Sequence, residues 1–418
     1  MESLMKFTEK KNIIVAGAGF GGITATLKLA EKMGSFPDYK LILIDCHNYQ
    51  LYTPALYEIA SIPQEYAPAT ILKSSVTISL SDITRGRPVE FLQDEVEGLD
   101  IPGKKIVLKA QGELPFEYLV LALGSETNYF NIPGLKESSF PLKTFHDAVR
   151  LRSAIEELVK KQGSIKIAVG GGGATGVELV AEFVNFICVL KEEAVKDKKC
   201  DAQFVLIEAT NEILPGFDHW LVKKAEKRLR DLGVVIKTGH LITSVSSNEI
   251  IFKNGEKDSF DILIWAGGVK GPSLFRKLNL PIHERGSLKV DEYLRVVGFD
   301  GTAFAIGDNA SFTDLYTKKP LAWNVPVAEA EGRLVAQNIL SSIKKKPLNK
   351  FYPLKKYPYI LTVGKKFAIA DLVYLKLSGI IGWLLKQIVE LRYLLFILPL
   401  PKAIGAWLRA VKTSASND

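Results

Sequence analysis

Two stretches of this 418-residue chain set glycines at the spacing G-x-G-x-x-G: Gly17-Ala18-Gly19-Phe20-Gly21-Gly22 and Gly171-Gly172-Gly173-Ala174-Thr175-Gly176. Glycines so spaced let a backbone turn tightly and approach a pyrophosphate, whose charge meets the open N–H groups of a helix N-terminus. An acid follows each loop, Asp45 twenty-three residues beyond Gly22 and Glu208 thirty-two beyond Gly176. Such an acid can accept a hydrogen bond from an adenosine ribose, and it favours the free 2′-hydroxyl of NADH over the 2′-phosphate of NADPH. Two dinucleotide sites in one polypeptide point to electron transfer between two cofactors.

The elements that must hold these residues follow from the apolar runs around them. Ile13 to Ala16 and Ile165 to Val169 read as buried strands that feed the two glycine loops, the context in which the spacing carries meaning. A helix from Ile23 to about Lys32 and a strand from Leu41 to Asp45 complete the first βαβ start. In the second unit the charged run from Lys191 to Lys199 is expected to be a surface insertion before the strand Phe204 to Ile207, which accounts for the longer spacing to Glu208. Further strands are expected at Tyr118 to Leu123, stopped by Gly124-Ser125, and at Asp261 to Ala266, stopped by Gly267-Gly268. Another at Ala303 to Ile306 leads into Gly307-Asp308, expected at a helix start where an acid can bind backbone N–H groups and a ligand hydroxyl.

Composition bounds the class. The chain is long enough for two or three domains. Hydrophobic residues make up 47% and the mean hydropathy is +0.11, yet no stretch of eighteen residues is free of charge, as a membrane-spanning helix requires. Cys46, Cys188 and Cys200 are widely spaced and form no CxxC pair, so neither a disulfide framework nor a metal site is expected, and Cys188 reads as a small buried hydrophobe. The charged N-terminus lacks an apolar signal core, so export is not expected. From Lys350 onward eleven basic residues face three acids, a balance of +8 that equals the whole chain's formal charge and leaves the first 349 residues neutral. The apolar company of these cations points to an anionic lipid surface and not to nucleic acid. At 100° per residue, Ala403, Ile404, Trp407, Leu408 and Val411 gather on one face of a helix with Lys402, Arg409 and Lys412 opposite. Gly379 to Leu398 is longer and more apolar, with Lys386, Gln387 and Glu390 on one narrow stripe. Both read as interfacial helices, with Trp383 and Trp407 at headgroup depth.

The residues resemble the two-dinucleotide-binding flavoproteins, and within them the type II NADH dehydrogenases (NADH:quinone oxidoreductases). The resemblance rests on His47-Asn48-Tyr49-Gln50-Leu51-Tyr52-Thr53-Pro54-Ala55-Leu56-Tyr57-Glu58-Ile59-Ala60, similar to the family's motif beside the flavin, on the second glycine loop with Val177-Glu178-Leu179, on Ala122-Leu123-Gly124-Ser125-Glu126-Thr127, on Trp265-Ala266-Gly267-Gly268-Val269 and on Gly307-Asp308. It implies an α/β fold of two Rossmann-like domains, an FAD domain (1–147 and 276–345) interrupted by an NADH domain (148–275), with amphipathic membrane-associated helices in 346–418. FAD would be held by Gly17, Gly19, Phe20, Gly22, Asp45, Gly124 and Asp308, with Thr53 and Pro54 beside its isoalloxazine. NADH would lie over Gly171, Gly173, Thr175, Gly176 and Gly267, with Glu208 on its ribose. Glu178 would stand at the reacting rings, where hydride transfer asks for orientation and exclusion of water and not for a base. The acceptor implied is a membrane quinone, and the enzyme implied is a peripheral homodimer on the cytoplasmic side of the cell membrane, a member of a respiratory chain. Donors such as sulfide, and a flavin sensor with little turnover, are the alternatives. One departure stands out: the glutamines that line the family's quinone pocket fall here on Pro326 and Ala330, which leaves Glu329 or Lys386 to bind a quinone oxygen.

Overall fold

A computed structural model describes residues 10–100, 103–161, 163–195, 201–314 and 318–415. Its contacts group the chain into two compact units, one of residues 1–50, 78–126 and 269–355, the other of 51–77, 127–268 and 356–418.

The first unit is built on a five-stranded parallel sheet in the order Ala303–Ala305, Tyr118–Leu121, Lys11–Ala16, Tyr39–Asp45, Glu90–Gln93. Its central strands are uninterrupted apolar runs because helices and loops cover both faces of a parallel sheet. Ile13, Ile14, Val15 and Ala16 are fully buried. The helix Phe20–Ala30 starts directly after Gly19, three residues earlier than the apolar pattern suggests. A second helix, Val325–Ile343, packs on it so closely that a Cβ on Gly332 would lie 2.5 Å from the Gly21 carbonyl. Gly307–Asn309 is a single 3-10 turn that runs directly into the short strand Ala310–Ser311 instead of opening an α-helix.

The second unit repeats the plan, with parallel strands in the order Phe140–Pro141, Ile262–Trp265, Ile165–Gly170, Ala202–Ile207, Val235–Lys237. Its glycine loop opens the 22-residue helix Ala174–Val195. Lys191, expected on the surface, is 2% exposed and donates to the Gly163 and Asp201 carbonyls; residues 196–199 of that run, and Cys200, lie outside the described residues. Cys188 is half-buried and disulfide-bonded, contrary to its reading as a plain hydrophobe. An antiparallel meander, Tyr359–Thr362, Ala368–Asp371 and Lys376–Gly379, leads into the helices Ile380–Ile397 and Leu400–Ala415. Among the described residues no helix is long and apolar enough to cross a membrane.

These last two helices are turned opposite to the simple amphipathic expectation. In Ile380–Ile397 the polar stripe faces protein, with Gln387 and Glu390 at 3% and 5% exposure, while Ile380, Ile381, Leu384 and Ile388 stand exposed. Trp383 is buried rather than at a surface, and Trp407 donates its indole N–H to the Gln387 carbonyl at 2.9 Å. In Leu400–Ala415 the small residues Ala403, Ala406 and Ala410 pack inward, and Ile404 and Leu408 point out. Alanines allow close approach of the helix, so the bulkier apolar side chains are displaced to the outer face.

Candidate functional site

In the first unit the chain turns at Gly17, whose φ of 107° suits glycine alone and where a Cβ would lie 2.2 Å from the Ala122 carbonyl oxygen. A Cβ on Gly22 would lie 1.9 Å from the Gly17 oxygen, whereas one on Gly19 would meet nothing within 4 Å. The loop is thus closed on its strand side and open at the helix N-terminus, as a pyrophosphate needs. Asp45, at the end of the neighbouring strand, accepts from Ala18 N at 2.7 Å and from His47 N at 2.8 Å. Each oxygen keeps a lone-pair direction for a ribose hydroxyl. Gly124 has the same open character, and its N–H donates to Asn309 Oδ1 at 3.2 Å. Ser125 Oγ donates to Asp308 Oδ2 at 2.6 Å, which ties the ends of two adjacent strands. Behind this turn Glu331, 3% exposed, accepts from Gly307 N at 2.6 Å. Burial, and then the charge of Asp308, push its carboxyl up to about 8. These cradles fit a dinucleotide, and Gly17, Gly19, Phe20, Gly22, Asp45, Gly124 and Asp308 share one end of one sheet.

The second unit reproduces the cradle. Gly171 has φ 110°, a Cβ on Gly176 would lie 1.9 Å from the Gly171 oxygen, and Gly173 is open. Glu208 accepts from Gly172 N at 2.7 Å and from Thr210 N at 2.8 Å. Gly267 is needed because a Cβ there would enter the Trp265 ring at 2.3 Å. Thr175 stands exposed at the helix start. Thr53 and Pro54 form a 3-10 turn in this second unit.

From Glu178 a chain of hydrogen bonds runs through the second unit. Thr362 N donates to Glu178 Oε1 at 3.3 Å, the Tyr57 hydroxyl donates to Thr362 Oγ1 at 3.0 Å, and Lys386 Nζ donates to the Tyr57 oxygen at 2.9 Å and to Glu58. Ser414 Oγ reaches Glu58 Oε1 at 3.4 Å. Glu178 keeps some accessible surface, yet protein crowds its carboxyl, and desolvation raises it to about 8 against the pull of Lys386. Burial likewise lifts Glu390 to about 7. Burial acts to lower Lys386, but Glu58 and Glu390 outweigh it and hold the ammonium charged. Glu178 and Glu390 on either side of this lysine thus keep more than one exchangeable proton near neutral pH. Sequence reasoning named Glu178 and Lys386 but gave no role to Tyr57, Glu58 or Glu390. The i, i+4 pair Lys386 and Glu390 on an otherwise apolar helix was the available signal.

Of the residues considered for the acceptor, Pro326, Glu329 and Ala330 lie in the first unit and Lys386 in the second. Pro326 occupies the first turn of its helix, below an Asn324 cap that accepts from Val327 N at 2.9 Å. Glu329, a candidate for a quinone oxygen, is 4% exposed and pairs with Arg333 at 3.4 Å. Among the described residues, Asp45, Cys46 and His47 bring potential metal-binding atoms within 4.8 Å of one another; Asp45 is already engaged by backbone N–H groups.

Residues 11–332 match the family described as pyridine nucleotide-disulphide oxidoreductase, and the chain belongs to that family. Within it, the chain is 28% identical over 355 residues to a protein of Staphylococcus saprophyticus named type II NADH:quinone oxidoreductase, covering 82% of this chain and 85% of that one. A protein of the same name from Haemophilus influenzae is 27% identical over 369 residues, covering 82% of each. The fold resembles that of NDH2 from Plasmodium falciparum, solved in complex with NADH, with a TM-score of 0.83 and 23% identity over 97% of this chain and 98% of that one. The sulfide:quinone oxidoreductase of Aquifex aeolicus is a more distant likeness, at TM-score 0.76 and 16% identity over 95% and 92%.

Proposed function

We propose that this chain is a peripheral, FAD-dependent NADH:quinone oxidoreductase that passes two electrons from NADH to a membrane quinone without pumping ions. The observation that carries the reading is the doubled cradle: two glycine loops of one geometry, each with an acid at the neighbouring strand end. The names of the curated relatives supply the donor and acceptor classes. Gly17, Gly19, Phe20, Gly22, Asp45, Gly124 and Asp308 would hold FAD. Gly171, Gly173, Thr175, Gly176 and Gly267 hold NADH, with Glu208 on its ribose. FAD bound there would supply the chemistry of accepting a hydride from NADH and giving up two electrons to a quinone.

The protein's part is to orient, to exclude water and to keep protons at hand. Glu178 borders the nicotinamide and carries a proton at neutral pH, since its carboxyl titrates at about 8. The hydrogen-bonded series through Thr362, Tyr57, Lys386 and Glu58 joins it to the last two helices. Conversion of NADH and a quinone to NAD⁺ and a quinol takes up one proton beyond the hydride, and Glu178 and Glu390, whose carboxyls are raised to about 8 and about 7, are placed to hold it. Lys386 takes the place of the missing glutamines as donor to a quinone oxygen. The exposed apolar faces of the last two helices, with Lys402, Arg409 and Lys412, seat the protein on an anionic membrane at its cytoplasmic side as a homodimer.

Anaerobic rapid mixing with NADH, followed by a soluble quinone analogue, tests the reading in order. NADH should bleach the flavin absorbance and the quinone should restore it. Flavin that stays oxidised in NADH removes the donor, and flavin that stays bleached in quinone removes the acceptor. Truncation before Gly379 should release the protein from vesicles.

A further inference from the structure

Beside the last helix lies a groove of ≈ 200 Å³ walled by Ile62, Tyr66, Ile71, Arg409, Lys412 and Thr413. All of these belong to the second unit. One wall is the loop between Ile62 and Pro68, and it is held firmly from behind. The buried guanidinium of Arg152 donates to the Ala67 carbonyl at 3.0 Å and reaches that of Ile62 at 3.4 Å. Glu156 accepts from Gln64 N at 2.8 Å. Charges buried this deeply are placed at a cost, and these two are spent on a loop that shows Tyr66 to the outside at 49% exposure and leads into the helix Ala69–Val76, where Ile71 is 54% exposed. The opposite wall is one face of the helix Leu400–Ala415, since Arg409, Lys412 and Thr413 are spaced i, i+3, i+4. Arg409 Nε lies 3.5 Å from the Ser74 carbonyl, which sets the guanidinium at the rim. Over residues 62–76 and 409–413 there are three cations, Lys73, Arg409 and Lys412, against the one acid Glu65. Ile404 and Leu408 of the same helix also stand exposed.

We infer that this groove is a binding site for one anionic phospholipid, its phosphate held by Arg409, Lys412 and the Thr413 hydroxyl and its acyl chains lying along Tyr66 and Ile71. The inference rests on the peripheral-membrane reading and adds to it a defined lipid site. A planar guanidinium with an ammonium one turn away matches a phosphate monoanion. The rigid apolar wall beside it supplies what a free phosphate could not use. A cation at a membrane surface contributes about 1 kcal/mol, roughly fivefold in affinity. Loss of both therefore predicts about a twenty- to thirtyfold weakening on anionic vesicles.

The test is sedimentation of the full-length holoenzyme with vesicles of pure phosphatidylcholine and of phosphatidylcholine with about 30% phosphatidylglycerol. The wild type should prefer the anionic vesicles. Arg409→Ala/Lys412→Ala should lose most of that preference, keep its binding to phosphatidylcholine and keep its flavin. Lys402→Ala removes a cation outside the groove and should lower anionic binding by only the roughly fivefold of a single surface cation, well short of the double variant; Tyr66→Ser should weaken anionic binding although it removes no charge. Millimolar inorganic phosphate should not displace the vesicles. If the double variant keeps the preference, if Lys402→Ala lowers it as much, or if phosphate competes, the lipid site is wrong while membrane attachment stands. A wild type that binds neither vesicle overturns the attachment itself.

Discussion

The two glycine cradles agree atom for atom at the turn and differ just outside it. In both, the first glycine takes a φ near 107–110°, the last would drive a Cβ to 1.9 Å from the first glycine's oxygen, and the middle one is open. In both, the strand-end acid spends one oxygen on the loop N–H at 2.7 Å and the other on an N–H two residues downstream at 2.8 Å. The first difference is a matched pair. The first copy has the shorter Asp45 with Ala18; the second has Glu208 with Gly172, where a Cβ would lie 2.9 Å from the Glu208 Cβ. The longer acid needs the smaller neighbour. The second difference lies two residues past the last glycine. Thr24 turns its hydroxyl back to the Phe20 carbonyl at 2.7 Å, whereas Glu178 reaches Thr362 in the meander. The first helix is sealed onto its own turn and the second sends a titratable group away from its own helix, a contrast in keeping with the proposed division into a resident FAD and an exchangeable NADH.

The largest test of this contrast is a pair of substitutions. Gly22→Ala should yield protein without flavin absorbance, whereas Gly176→Ala should retain the flavin but lose its bleaching by NADH. Loss of flavin in both would erase the distinction. Next in size, Glu208→Ala should raise the NADH requirement about thirtyfold, taking about 2 kcal/mol for a charge-assisted contact, and narrow the preference over NADPH in steady-state assays. An unchanged preference would remove Glu208 from the ribose. A smaller effect concerns stability. Folded Glu331 holds its proton up to about 8, while an unfolded glutamate releases it near about 4.3. Stability therefore falls as pH rises across that window and levels off above it. Glu331→Gln should unfold a few degrees later than wild type near pH 8.5, at roughly 2–4 °C per kcal/mol, and differ little near pH 4; equal shifts at both would mean packing alone. The smallest effect is Ala18→Gly, expected to cost about 0.5–1 kcal/mol and to leave flavin content intact. The reverse change, Gly172→Ala, should displace Glu208 and weaken NADH binding.

The parallel strands, both turns and both strand-end acids were legible because a pyrophosphate loop is a local device, written in glycines a few residues apart. The limits of reading along the chain appear where partners are distant. Lys191 looked like part of a solvated run, and only the carbonyls of Gly163 and Asp201 explain its burial. Asp308 looked like a helix cap, and its partner is a serine 183 residues away. The facing of Ile380–Ile397 could not be read from its wheel. A stripe of Lys386, Gln387 and Glu390 satisfies the same pattern whether it meets water or the Tyr57-Glu58 pair. What decides is the counter-charge supplied by a segment 328 positions earlier in the chain.

That inward stripe has a mechanical consequence. To swing the helix Ile380–Ile397 away from the body would separate Lys386 from Glu58 and carry an ammonium and the Glu390 side chain toward hydrocarbon, where a charge costs about 2.5–3.5 kcal/mol by the mildest scale. On the proposed membrane seat the helix therefore cannot work as a rope that lets the enzyme drift and tumble above a bilayer. There it would behave as a keel, fixed to the hull, and give the second unit one depth and one heading.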